Sequence, residues 1–265
     1  HLMGFFSVFN NDAIRDVTLY KGDIPASHGG RLSSLLDVRM KDGNSKKVGV
    51  SASLGTVSSK LTVEGPIIKD RTTFMAAGRR TYADLFLPLA KQKDARDNKL
   101  YFYDLNLKLS HVINENNRLY LSGYSGRDIF KNQYSSVGFG NNTASLRWNH
   151  LFSKKLFFNL SLNYSRYNYE LGTGDGDASS SFKWASELDD YSSRFDFTYY
   201  QSDKHKIRYG ATSAYHKFYP GTVNGFGNTS AEAFVLNAAS AREHSLYATD
   251  EYKITDKLSV KYGLR

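Results

Sequence analysis

The stretch KLFFNLSLNYSRYNY, Lys155 to Tyr169, decides the fold. Leu156, Phe158, Leu160, Leu162 and Tyr164 alternate there with Asn159, Ser161, Asn163 and Ser165. Successive side chains of an extended chain point to opposite faces, so this is a strand with one apolar and one polar side. The polar side carries small groups that suit a water-filled space. A β-barrel that crosses a membrane needs this combination, with hydrocarbon outside and a polar lumen within.

The pattern recurs along the chain. Leu105, Leu107 and Leu109 oppose Asp104, Asn106, Lys108 and Ser110, and Leu258, Val260, Tyr262 and Leu264 oppose Ser259, Lys261, Gly263 and Arg265. Shorter matches run through Phe195, Phe197 and Tyr199 and through Ile207, Tyr209 and Ala211. The longer runs match a tilted spanning strand of about 9 to 11 residues. A soluble antiparallel sheet packed on a core also alternates, and the connections separate the two readings. Tight polar turns at Lys69-Asp70, Asn114 to Asn117, Ser153-Lys154, Ser202 to Lys204 and Thr255 to Lys257 alternate with longer Gly/Ser/Asn-rich stretches. Short turns on one rim and long loops on the other are the asymmetry of outer-membrane barrels.

Composition agrees. The 19 Tyr and 17 Phe, many near strand ends, suit aromatic girdles at two membrane interfaces. A mean hydropathy of -0.49, with no run of 18 apolar residues, excludes a transmembrane helix. Barrels escape that measure because half of each strand is polar. With no cysteine, disulfides and Cys-based zinc sites are excluded. The net charge of +9 is spread along the chain and interleaved with acids, as in Lys69-Asp70-Arg71. No basic motif accompanies it, so nucleic acid is not an expected partner.

No catalytic or cofactor-binding motif holds. The seven His, His1, His28, His111, His150, His205, His216 and His244, lack ligand spacing. Asp175 and Asp177 sit in a loop resembling a calcium site, but Ser186 stands where its bidentate Glu belongs. GFGNNTAS lacks the strand and helix of a dinucleotide fingerprint. The expectation is a protein without enzyme activity, metal or cofactor.

The first 45 or so residues read differently. Two short strands, Val17 to Tyr20 and Leu35 to Met40, flank a Gly/Pro-punctuated turn, and Asn11-Asp12 is placed to cap a short helical turn through Ala13 and Ile14. The run from Asp12 to Gly22, then Pro25-Ala26, Gly29 to Ser34 and Leu36 to Arg39, resembles the end of the plug domain in TonB-dependent outer-membrane receptors. Gly65-Pro66-Ile67-Ile68-Lys69-Asp70 resembles that family's first periplasmic turn, and the wording is nearest to receptors of Bacteroidetes-type bacteria.

The resemblance implies an all-β protein: an antiparallel transmembrane barrel preceded by the C-terminal part of a small mixed α/β plug. Residues 1–45 would be plug and 46–265 the N-terminal half of the barrel. About eleven strands are countable against about 22 in a plugged barrel, and no signal peptide or TonB-contacting box precedes His1, so the expectation is a portion of a longer receptor. Its partners would be the TonB-ExbB-ExbD energy-coupling system, outer-membrane lipid and lipopolysaccharide, with room for a surface lipoprotein. The location would be the outer membrane of a Gram-negative bacterium. The alternatives are a passive porin or adhesin-like barrel and, further off, a soluble β-sandwich enzyme or carbohydrate-binding module.

Candidate ligand-contacting residues follow from position. Arg79, Arg80, Tyr82 and Asp84 end the third expected barrel strand and enter a long loop at the outward mouth. Tyr134, Phe139, Tyr219 and Phe226 lie in Gly-rich stretches expected to be loops, where aromatics on adaptable backbone capture ligands. The resemblance places Lys21 and Arg31 at plug-to-wall contacts.

Overall fold

The computed structural model describes residues 10–22, 24–30, 33–89, 91, 96, 98–173, 181–226 and 234–265. About 75% of them are in antiparallel strands. β1 (Ile14–Tyr20) and β2 (Leu35–Met40) pair with each other as a two-stranded ribbon, Val17 opposite Val38 and Tyr20 opposite Leu35. The remainder is one large sheet. It contains β3 (Gly49–Leu54), β4 (Ser58–Ile68), β5 (Thr72–Thr81), β6 (Lys99–Asn114), β7 (Asn117–Lys131), β8 (Ser135–Ser153) and β9 (Leu156–Thr173). It continues through β10 (Ser181–Tyr200), β11 (His205–Phe226), β13 (Ala239–Thr255) and β14 (Leu258–Leu264), with β12 (Phe234–Val235) added to β11. Apart from β12, each strand of this sheet pairs with the next in sequence, as an up-and-down meander. A short helix, α1 (Ala83–Phe86), and a 3-10 turn (Leu87–Leu89) lie between β5 and β6, and no described helix is long and apolar enough to cross a membrane.

The register turns the alternation into two surfaces. Leu109, Leu121, Leu146 and Leu162 stand side by side across β6 to β9. One residue along, Lys108, Ser122, Ser145, Asn163, Ser192 and Ala214 form a row on the opposite face. The leucines remain about half exposed, Leu121 at 48% and Leu162 at 42%, which suits contact with hydrocarbon. Aromatics border this apolar belt on both sides. Tyr164, Tyr191 and Tyr215 form one row with ring centroids 5.1 and 6.4 Å apart. Trp148, Phe158, Phe197 and Tyr209 form the other, at successive spacings of 5.8, 4.7 and 5.1 Å.

The short turns share one device. The hydroxyls of Ser153, Ser202 and Thr255 each accept a hydrogen bond from the backbone N–H two residues on, at Lys155, Lys204 and Lys257, which holds the chain in a tight reversal. On the opposite rim β7 and β8 are joined only by Asn132 to Tyr134, where Asn132 Oδ1 accepts the N–H groups of Tyr134 and Ser135 at 2.8 and 2.7 Å. The expectation of loops there is therefore corrected. Tyr134 sits in a tight turn, Phe139 within β8, and Tyr219 and Phe226 within β11. Glycine is what misleads. A Cβ at Gly140 would lie 2.5 Å from Asn168 Oδ1, so glycine makes room here for a neighbouring strand's side chain.

At the start of the described chain, Asn10 rather than Asn11-Asp12 is the cap. Its Oδ1 accepts Asp12 N–H at 3.1 Å and its carbonyl accepts Ala13 N–H at 3.0 Å, and a single hydrogen-bonded turn over residues 11–13 leads into β1. Between β2 and β3 it crosses close to the sheet at Gly43. With φ at 81° and space for a Cβ only 2.4 Å from the Phe74 carbonyl oxygen, this position admits only glycine.

Candidate functional site

The ribbon packs on the polar face of the sheet, which identifies that face as the inner one. Ala13 and Met40 meet Met75 and Ala77 of β5 in a small buried cluster. Polar contacts surround it. Asp12 of the ribbon side pairs with Lys60 of β4 at 2.8 Å. Lys108 of β6 reaches the Met40 carbonyl at 2.8 Å and Asp42 at 2.7 Å. Thr73 donates its hydroxyl to the Asp42 carbonyl, and Ser110 bonds the Asp42 carboxylate at 3.3 Å. The attachment is thus a few apolar contacts inside a larger polar ring, and polar pairs exchange with water at modest net cost, about 1 kcal/mol each.

Beside it lies a half-open cleft of about 1220 Å³ between ribbon and wall. Asp37 and Arg39 line its ribbon side, and Arg147, Asn159, Asn163 and Arg194 its wall side. His28, in the segment linking β1 to β2, reaches across to Arg194, Nε2 to Nη1 at 2.9 Å. A guanidinium only donates, so His28 Nε2 accepts, and Nδ1–H points to Ser27 Oγ 3.0 Å away. Burial and the adjacent Arg194 charge hold the His28 pKa down at about 4. At the turn between β4 and β5, Lys46 hydrogen-bonds Asp70 at 2.6 Å and lowers that carboxyl's pKa.

The expected mouth residues separate. Arg79 points inward and forms a buried ion pair with Asp104 of β6, Nε to Oδ2 2.7 Å, beneath which Asn106 also bonds Asp104 at 3.3 Å. The two side chains are 12% and 0% exposed. Arg79 also lies over the buried Phe102 ring at 4.8 Å. Arg80, its neighbour, points outward over Tyr101 and pairs with Asp84 at 3.6 Å. Tyr82 donates its hydroxyl to the Gly55 carbonyl at the rim. Phe139 stands opposite Asp128 and Tyr169 on the inner face, whereas Tyr219 lies on the outer face beside Lys217.

Lys21 is exposed just past β1, with no hydrogen bond or ion pair to the wall among the described residues; Arg31 and the Phe226 side chain lie outside them. Asp12, Asp42, Lys60, Lys108 and Asp104, which hold the interior together, were not expected from sequence. The signal available was a charged residue on an otherwise small polar face, as at Lys108. No group of three or more His, Cys, Asp or Glu suited to a metal occurs among the described residues.

No protein-family model and no curated protein sequence matches the chain. Solved structures do. The copper transporter OprC superposes with a TM-score of 0.72 over 93% of this chain and 41% of its own, at 9% identity. FpvAI in its complex with pyocin S2 gives 0.72 over 95% and 42%, at 16% identity. The siderophore receptor PirA from Acinetobacter baumannii gives 0.67 over 95% and 43%, at 14% identity. At such identities the likeness is one of fold: an antiparallel sheet corresponding to part of a large receptor barrel. This chain spans less than half the length of each of those proteins.

Proposed function

We propose that the chain is the end of a plug, residues 1–45, and the first half of the barrel, residues 46–265, of a TonB-dependent outer-membrane receptor that imports a scarce nutrient. The observation that carries this is the ribbon held on the inner face of an outward-apolar wall through Lys60–Asp12 and Lys108–Asp42. A ribbon so placed obstructs a lumen, and polar pairs let it be displaced by modest force. Likeness in fold to a copper transporter and to siderophore receptors supports an importing barrel. No bond of the cargo need be made or broken. Cargo is captured at the outward rim and inner wall, where we assign contacts to Tyr134 and Phe139. Force relayed from TonB with ExbB and ExbD then shifts the plug. The Bacteroidetes-type resemblance of residues 12–39 extends the proposal to a surface lipoprotein partner.

A reversible tether tests the displacement. Asp42 and Ser110 touch across the ribbon and wall, so the intact receptor carrying Asp42→Cys and Ser110→Cys should lose TonB-dependent uptake when oxidised and regain it with reductant. Undiminished uptake by the oxidised form, or uptake indifferent to removal of TonB, would leave a passive barrel as the better description.

A further inference from the structure

Above the tyrosine row that closes the apolar belt, the two faces of the sheet exchange character. Outside, Arg166, Asp189 and Lys217 stand in line across β9 to β11, and Arg166 grips Asp189 through two bonds of 2.6 and 2.8 Å. Inside, one residue along, Tyr167, Leu188 and Phe218 stand in line. Phe139 and Tyr169 are neighbours one step nearer the rim, and Val137, Leu171 and Trp184 one step beyond that. Lower down, beside the ribbon, the same inner face carries Ser122, Ser145, Asn163 and Ser192.

A charged outer side belongs in water, so contact with hydrocarbon does not account for the apolar groups behind it. Nor are they packed away: Tyr167 is 43% exposed, Phe218 44% and Trp184 39%. A contiguous exposed apolar strip rimmed by polar groups is a binding surface. Charge narrows what it binds. The inner bases at this height are already bonded, Arg79 to Asp104 and Lys60 to Asp12. Carboxylates flank the strip instead, with Asp128 opposite Phe139 and Asp190 two residues from Leu188, where it shares a hydrogen bond with His216 Nδ1. The faces of tyrosine and tryptophan rings also attract cations. An anionic cargo would meet both features unfavourably, and a cationic one is matched by both.

We propose that the strip centred on Tyr167, Leu188 and Phe218 binds a cargo with an apolar, ring-bearing body and a positive charge. This rests on the importing-barrel reading above and gives its cargo a chemical class. The body lies on the rings and aliphatic side chains, and the charge sits over the tyrosine faces toward Asp190 and Asp128. Asn163, Ser192 and Ala214 of the cleft lie four residues away along the same strands, so the strip is the step before the ribbon.

The test uses the intact receptor in detergent micelles and two water-soluble photolabels built on one benzophenone body, bearing a trimethylammoniomethyl group in one and a carboxylate in the other. Labelled residues are mapped by mass spectrometry. At equal concentration the ammonium should label Tyr167, Leu188 or Phe218 about tenfold more than the carboxylate does. Asp190→Asn should narrow that preference. Tyr167→Ser with Phe218→Ser should abolish strip labelling by both probes while heat-modifiable gel mobility shows a folded barrel. Equal labelling by the two probes, or labelling confined to the outward Leu160 and Leu162, would overturn the proposal. Strip labelling that appears only after Phe5→Ser, Phe6→Ser and Phe9→Ser would overturn it too, by assigning the strip to the chain's own apolar segment. Uptake indifferent to the Asp42–Ser110 tether, with the cation preference intact, would instead overturn the importing reading and leave the binding site standing.

Discussion

The two faces of β9 and β10 share one backbone and obey different rules. Outside, Leu160 and Phe195 stand opposite each other, and what matters is that both are apolar; hydrocarbon has no preferred partner. Inside, Ser161 stands opposite Arg194, and Arg194 meets one particular ring nitrogen of His28. The outer face is specified by chemical class, the inner face by identity. Substitutions should therefore cost by polarity outside and by partnership inside.

The largest effect is expected inside, at Arg79. Its removal leaves the fully buried Asp104 carboxylate without its cation, a loss of about 3 to 5 kcal/mol when one partner of a buried pair is deleted. Arg79→Ala should lower the urea midpoint of the folded barrel sharply, and Asp104→Asn added to it should recover a substantial part. A double variant as unstable as the single one would mean that packing against Phe102, not charge, sets the cost.

Next comes the outer face. Leu160→Arg places a cation against hydrocarbon, at about 2 to 4 kcal/mol near the midplane, whereas Asn159→Arg points into the cleft and should be tolerated. Heat-modifiable gel mobility reads both, and equal loss in the two would erase the distinction between faces. A smaller, local effect is expected at Lys108. Lys108→Met removes the bonds to Asp42 and the Met40 carbonyl, about 1 to 3 kcal/mol, but Asp42 keeps Ser110 and Arg15. The wall should stay folded while a spin label at Ser34→Cys becomes more mobile.

This contrast also explains what could be read from the sequence. Class is visible in a string of letters, so LFFNLSLNY declares its faces and the strand run follows. Partnership is not. Arg79 and Asp104 are 25 positions apart and meet only because β5 and β6 pair in one register. Arg79 and Arg80 look like one basic motif, yet a strand's period of two sends them to opposite faces. Glycine-rich segments around Gly138 and Gly140 resemble loops because composition does not reveal that a neighbouring strand needs the space.

The subtlest expected effect tests whether an inner contact can depend on protonation. Neutral His28 accepts from Arg194, and a proton on Nε2 would replace that bond with repulsion. Because the folded pKa, about 4, lies below the ordinary 6.5, the unfolded or undocked segment binds more protons between those values, so docking strengthens as pH rises through that window and is flat above it. A spin label at Ser34→Cys should accordingly grow more mobile on acidification from pH 7 toward pH 4.5, read by electron paramagnetic resonance so that thiol reactivity plays no part. His28→Gln retains a neutral acceptor and should hold the label's mobility constant across the same range. Asp37 opposes the shift and Arg265 adds to it, so Asp37→Asn should depress the docked pKa further and leave the label more mobile at pH 4.5 than in the wild type. Acid-induced mobility that persists in His28→Gln would assign the effect to the carboxylates of the ribbon instead.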